Sequence, residues 1–164
     1  MSDGHRPLRL LRRTGRAALL LPRARPRDWP AVAATVMTAL AVELGLRVLR
    51  LPTLARLAGA PLAESEPEAP HLPTLPEGTL SPLLVRRLRL GAAVMHHWPF
   101  DEKCLRRSLV CGWRIRQARP RLVIGVALVE GEVKAHAWLT VKGFSLDPWG
   151  SATFAPLRPV RPAP

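Results

Sequence analysis

Apolar and polar positions along the chain alternate between helix-like blocks and strand-like blocks, with proline and glycine marking the joins. Asp28-Trp29-Pro30 reads as a helix start, with Asp28 as cap and Pro30 in the first turn. That helix is expected to run to about Leu51, where Pro52 ends it, with a short turn over Thr53 to Leu57 before Gly59. Glu43 and Arg47 form a favourable pair one turn apart. Ser81-Pro82 opens a second long helix to about His96, and Trp98-Pro99-Phe100 closes it. A third helix, capped by Asp101, is predicted from about Glu102 to Gln117, with Leu105, Leu109, Gly112 and Trp113 on one side. Three strands follow. Leu122 to Val129 is almost continuously apolar, as in a strand covered on both faces. Glu130-Gly131 turns the chain into Val133 to Val141, and Lys142-Gly143 turns it again into Phe144 to Asp147. The pattern predicts an α+β fold: N-terminal helices and one further helix packed on a small antiparallel sheet.

Between these blocks the sequence divides the chain into a basic arm (1–27), a helical segment packing on the core (28–59), a proline-rich linker (60–80), the core itself (81–155) and a loose tail (156–164). The linker carries Pro61, Pro67, Pro70, Pro73 and Pro76 with no periodic apolar face. At 164 residues the chain is one domain's worth.

The formal charge of +13 changes the picture less than its size suggests. Only Lys103, Lys134 and Lys142 are lysines, and the remaining basic residues are all arginine, a skew that fits a coding bias toward arginine. No zinc-finger spacing and no aromatic-rich strand face is present, so nucleic acid is not expected as a partner. The most apolar stretch, Ala31 to Leu49, is interrupted by Glu43 and Arg47 and reads as a soluble helix, leaving peripheral membrane contact as the most that is expected of it. Ahead of it, Ala17 to Leu21 is too short for a signal core. The two cysteines, Cys104 and Cys111, would lie on one helix face about 10 Å apart by rise, too far for a disulfide. A cytoplasmic protein with free thiols is expected, with no metal and no other cofactor, since neither zinc spacing nor a nucleotide loop occurs.

The chemistry begins at Cys104. In the first turn of a helix, unpaired backbone N–H groups and the helix dipole stabilise a thiolate, and Lys103, Arg106 and Arg107 add positive charge nearby. Taken alone, a cysteine there reads as a small buried hydrophobe. A histidine changes that reading. If Lys142-Gly143 is a two-residue hairpin, Val141 pairs with Phe144, Thr140 with Ser145, Leu139 with Leu146 and Trp138 with Asp147. Alternation puts His136 and Trp138 on one face, and the pairing brings Asp147 to it. His136 and Asp147 are then diagonal neighbours, roughly 6–8 Å apart at Cβ, close enough for their side chains to bond. A nucleophile at a helix start with a His–Asp pair on adjacent strands is the papain-type arrangement. Cys104 is expected as nucleophile, His136 as its base and Asp147 as the group that orients the imidazole.

The segments Lys103-Cys104-Leu105-Arg106-Arg107-Ser108-Leu109, Leu122 to Val126 and Ala135-His136-Ala137-Trp138-Leu139, ending at Asp147, resemble the transglutaminase-like leader peptidases of lasso-peptide biosynthesis. The motif-bearing resemblance covers about 45 residues, Lys103 to Pro148. It implies a papain/transglutaminase-like fold and a cysteine peptidase that removes the leader from a ribosomally made precursor peptide. It carries Cys104, His136 and Asp147 over as the triad. Residues 1–80 lack the alternating β-branched runs of a leader-recognition module, so the chain resembles the discrete form of the family. A separate recognition protein is then expected to hold the precursor, and the macrolactam cyclase is a further expected partner. Papain-like enzymes often place a glutamine donor upstream of the cysteine; here the sole glutamine is Gln117, leaving His96, His97 and Trp98 as nearby donors. Amide acyl transfer to an amine, as in a transglutaminase, and an inactive scaffold or adaptor of the same fold are the competing readings.

Overall fold

The computed structural model describes residues 28–63, 73, 75–99, 103–147 and 153–157. The basic arm and the Asp101 cap lie outside the described residues. Helix α1 spans Trp29–Val48, α2 Leu51–Leu57, α3 Pro82–His96 and α4 Lys103–Arg114, followed by a 3-10 turn over Arg116–Ala118. The strands are β1 (Arg121–Val129), β2 (Glu132–Val141), β3 (Phe144–Ser145) and β4 (Ala155–Pro156). They form one antiparallel sheet in the order β3-β2-β1-β4. The fold is α+β, with the helices against one sheet face.

Both hairpin turns have the expected chemistry. Glu130-Gly131 and Lys142-Gly143 each hold two successive residues at positive φ (54° and 80°, 52° and 81°), the mirror-image turn whose twist suits two antiparallel strands. Their two-residue loops fix the register: Val129 pairs with Glu132, and Val141 with Phe144. Along β2, Ala137, Leu139 and Val141 point into the core with Leu122 and Ile124 of β1, while His136, Trp138 and Thr140 take the other face. Helix α4 supplies Leu109 and Val110 to that core, Ile115 just after it adds a third residue, α2 supplies Leu54 and Ala55, and α1 supplies Ala39 and Val42.

Two close approaches depend on glycine. A Cβ on Gly112 would stand 2.7 Å from the Ala60 Cβ, so α4 reaches the chain after α2 only without a side chain there. A Cβ on Gly125 would strike the six-membered ring of Trp138 at 2.7 Å. The glycine lets that indole lie flat on β1.

The structure departs from the sequence expectations at several joins. The first helix stops at Val48 rather than Leu51, and Pro52 sits in the first turn of α2 instead of ending α1. A first-turn N–H has no intrahelical acceptor, so proline loses nothing there. Asp28 precedes α1 but does not cap it; its carboxylate pairs with Arg86 of α3. Ser81 does cap α3, its hydroxyl accepting from the Leu84 N–H. Only the first half of β1 is covered on both faces. Leu128 and Val133, cross-strand partners at the hairpin tip, are 74% and 76% exposed because the helices end short of them. The boundary between core and the tail expected to be loose from residue 156 falls inside a fourth strand: Ala155–Pro156 pairs with β1, and the Leu157 N–H bonds the Ile124 carbonyl at 2.7 Å.

The segment read as a linker is partly structural. Leu122 donates to the Pro61 carbonyl and accepts from the Ala63 N–H, both at 2.9 Å, along the outer edge of β1. Beyond β3, Ser145 donates to the Pro73 carbonyl at 2.9 Å and accepts from the Leu75 N–H at 3.2 Å. Its two ends thus cover opposite sheet edges, which would otherwise expose unpaired backbone groups.

The Gly112 contact makes a sharp test. Gly112→Ala gains helix propensity yet is expected to lower stability by about 1–2 kcal/mol through overpacking against Ala60. Adding Ala60→Gly should return part of that loss, and urea unfolding of the double-mutant cycle measures it.

Candidate active site

Cys104 is the second residue of α4. Its backbone N–H is among the first four of the helix and has no intrahelical acceptor. One turn further along the same face is Ser108, buried, whose hydroxyl donates to the Ala137 carbonyl at 2.9 Å. That bond joins α4, which carries Cys104, to β2 at the residue beside His136. It forms where β3 has ended and the edge of β2 is open. Side chains from both faces of β2 can therefore meet the helix there. One cavity of about 250 Å³ is lined by Cys104 and Ser108 of α4, by His136 and Trp138 from one face of β2, by Ala137 from the other, and by Asp147.

His136 Nε2 lies 2.9 Å from Asp147 Oδ2. A carboxylate only accepts, so Nε2 carries the hydrogen and Nδ1 presents its lone pair toward other partners. The register behind this pair is the one expected from the Lys142-Gly143 hairpin, with Thr140 opposite Ser145 and the Leu146 N–H on the Leu139 carbonyl at 2.9 Å. The imidazole is also held by rings. Trp138 stacks on it at 5.9 Å between centroids and 19° between planes, and Phe154 lies 5.0 Å away. Asp147 is held in turn by Ser145, whose hydroxyl accepts from the Asp147 N–H at 3.0 Å. Ser145 is fully buried and is itself bonded to Pro73 and Leu75.

Phe154 and Ser145 were missed at the sequence level. The Ser-x-Asp spacing carried a signal, since serine commonly bonds a backbone N–H two residues on. Nothing in the sequence announced that Phe154 returns to the histidine. Of the side-chain donors considered upstream of the cysteine, His96, His97 and Trp98 are not among the described residues lining the cavity; His96 and His97 instead meet edge to face at 4.9 Å. Among the described residues no cluster of three His, Cys, Asp or Glu is placed to hold a metal ion.

The two thiols differ in setting. Cys104 is partly exposed at the helix start. Cys111 also borders the cavity, but it is buried between α4 and α3, its thiol donating weakly to the Leu88 carbonyl at 3.9 Å. Burial pushes the Cys111 thiol up to about 11, against a smaller opposing pull from the positive charge of Arg107. At neutral pH Cys111 is a protonated, poorly reactive core residue. Arg106, between the two cysteines, is turned away to Glu43 of α1, Nε to Oε2 at 2.7 Å. Burial lowers the pKa of Arg114, helped by the nearby charge of Arg87.

The family model described as Transglutaminase-like superfamily matches residues 36–158, about three quarters of the chain. The chain belongs to the transglutaminase-like superfamily, which generally hosts cysteine peptidases and acyltransferases. No curated protein and no solved structure gives a significant match.

Two outcomes follow from this geometry. The folded protein holds the Cys111 proton more tightly than the unfolded chain, whose thiol titrates near 9.0. Stability from this group is complete below about pH 9 and is lost as pH rises toward about 11. The loss over that window is about 2–3 kcal/mol. The chain has no tyrosine to obscure it, and Cys111→Ala should flatten the alkaline slope seen in urea unfolding. Second, Ser108→Ala leaves the buried Ala137 carbonyl unpaired and is expected to cost about 1–3 kcal/mol. A positioning role shows as a changed pH profile of Cys104 alkylation, which Ser108→Thr should restore.

Proposed function

We propose that this chain is a cysteine peptidase that removes the leader from a ribosomally made lasso precursor peptide, acting in the cytoplasm. The observation that carries the catalytic part is the 2.9 Å bond from His136 Nε2 to Asp147 in a cavity that Cys104 also lines. With Nε2–H committed to the carboxylate, Nδ1 is the nitrogen that takes the thiol proton. The Cys104 thiolate attacks the scissile carbonyl, and the oxyanion is received by the unpaired N–H groups at the start of α4. The His136 imidazolium then protonates the leaving amine, and water, deprotonated by the same imidazole, hydrolyses the acyl-enzyme. Asp147 holds the tautomer throughout. No cofactor enters these steps.

Support for the lasso precursor as substrate comes from the resemblance between Lys103 and Pro148, and it is finer than superfamily membership. A separate recognition protein presents the leader, and the macrolactam cyclase takes the freed core peptide. Holding the leader on a partner raises its effective concentration at Cys104. The same acyl-enzyme would serve a transglutaminase if an amine replaced water.

Mass spectrometry of precursor peptide incubated with the chain, with and without the recognition protein, separates these readings. Slow or undetectable cleavage is expected from the chain alone, with a large increase on adding the partner. Cys104→Ala and His136→Ala should abolish cleavage with the fold intact, and Asp147→Asn should reduce it less than either. Adduct formation with a supplied amine instead of hydrolysis would make the chain an acyltransferase. Retained cleavage in Cys104→Ala would remove the assigned nucleophile.

A further inference from the structure

Helix α1 is apolar nearly all round, yet only one side of it is covered. Thr35, Thr38, Ala39, Val42, Glu43 and Gly45 are buried. Thr35 and Thr38 return their hydroxyls to the carbonyls of Ala31 and Ala34 at 2.7 and 2.8 Å, so the buried side exposes no unmet polar group of theirs. The opposite side carries Trp29, Met37, Leu40, Leu44 and Val48, with Met37, Leu44 and Val48 64%, 62% and 67% exposed. At 100° per residue these positions fall within an arc of about 120°, over a helix about 28 Å long. Ala33 and Ala41 fill the gaps and are also exposed. This is a continuous apolar stripe on the surface.

Charge next to the stripe is mainly positive, and Asp28 at its start is paired with Arg86. The 27 residues before Asp28 contain eight arginines, from Arg6 to Arg27, against the single acid Asp3. Arg47, Arg50 and Arg56 are exposed at the other end of the helix. The one acid within α1, Glu43, is turned inward to Arg106 and Arg47. A surface that is apolar along its length, cationic at its Arg47 end and preceded in sequence by eight arginines complements a layer that is apolar inside and anionic at its face. A second copy is a poorer match. Parallel pairing along α1 sets Arg47, Arg50 and Arg56 against their counterparts, and either pairing adds sixteen arginines from the two N-terminal segments to one assembly. Length and composition would let α1 cross a membrane. Its buried side is packed on the fold through Glu43 and Arg106, which fits a helix lying on a bilayer rather than through it.

We propose that the exposed stripe of α1, with the basic arm ahead of it, docks this protein on an anionic lipid bilayer, independently of the reaction at Cys104. The experiment is flotation of the full chain with vesicles of phosphatidylcholine containing phosphatidylglycerol, against vesicles of phosphatidylcholine alone. Binding is expected to the anionic vesicles and to weaken as salt is added. Met37→Glu with Leu44→Glu should lower the bound fraction at least about tenfold, and Leu40→Glu with Val48→Glu should do the same. All four positions are exposed, so unfolding midpoints should stay near that of the parent chain. Removing residues 1–27 should abolish the preference for the anionic vesicles. Undiminished binding by both stripe variants would overturn the proposal, leaving only nonspecific attraction to arginine. So would failure to float, together with a dimer in sedimentation equilibrium that the stripe variants dissociate, or capture by an acidic protein domain that excludes vesicles.

Discussion

The hydrogen bond from the Ser108 hydroxyl to the Ala137 carbonyl is the constraint on which the rest of the site depends. The core shared by helix layer and sheet is made of apolar contacts, which have no direction and tolerate sliding. This bond is buried and directional, so displacement would leave a carbonyl unpaired in the interior. It also falls at a sensitive place. Cys104 is one helical turn before Ser108, and His136 is one residue before Ala137. Fixing the second pair of residues sets the separation of the first pair. The strand edge is open to the helix there because β3 spans only Phe144–Ser145. A longer β3 would cover the Ala137 carbonyl and close the place where thiol and imidazole share a cavity.

The His136–Asp147 pair depends on a different and more local device. Two positive-φ residues at Lys142-Gly143 allow only one register, and a slip of one residue would send Asp147 to the other sheet face. Support then runs outward from the pair: Asp147 on Ser145, and Ser145 on Pro73 and Leu75. The proline-rich segment thereby acts on the orientation of the histidine, although it is far away in sequence. On the other side of the imidazole, Gly125 leaves room for Trp138, whose ring lies beside it. The glycine belongs to β1, so three strands and a strap together hold one ring.

This division explains what could be read from the sequence. The hairpin, its register and the nearness of His136 to Asp147 depend on residues within a dozen positions of one another, and local turn chemistry settles them. The placement of Cys104 at a helix start was legible for the same reason. The fourth strand, the return of Phe154 to His136, the edge-covering ends of residues 60–80 and the turning of Asp28 toward Arg86 were not legible. Each is a contact between segments remote in sequence, made by residues whose local preferences are weak or misleading. Proline-rich stretches lack periodicity, and that lack was read as looseness. In folded form, Pro61 and Pro73 offer carbonyls to sheet edges, which proline can do without an N–H. Pro52 misled for a related reason, because proline ends a helix interior but suits a first turn.

The two cysteines show how position on a single helix separates chemistry from packing. Both lie on α4, and both border the same cavity. Cys104 is at the end where backbone N–H groups are unpaired and positive potential gathers, which favours a thiolate. Cys111 is two turns further along, where every N–H is committed and α3 closes over it. Gly91 of α3 comes so near that a Cβ there would stand 3.0 Å from the Cys111 sulfur. In that setting ionisation would place a charge among largely buried surroundings, and the thiol stays protonated. Arg107 works against this only weakly. It is exposed, and a charge shared with solvent does little for a group it cannot reach with a hydrogen bond. The helix thus spends one cysteine on its packing against α3 and presents the other to the cavity that His136 also lines.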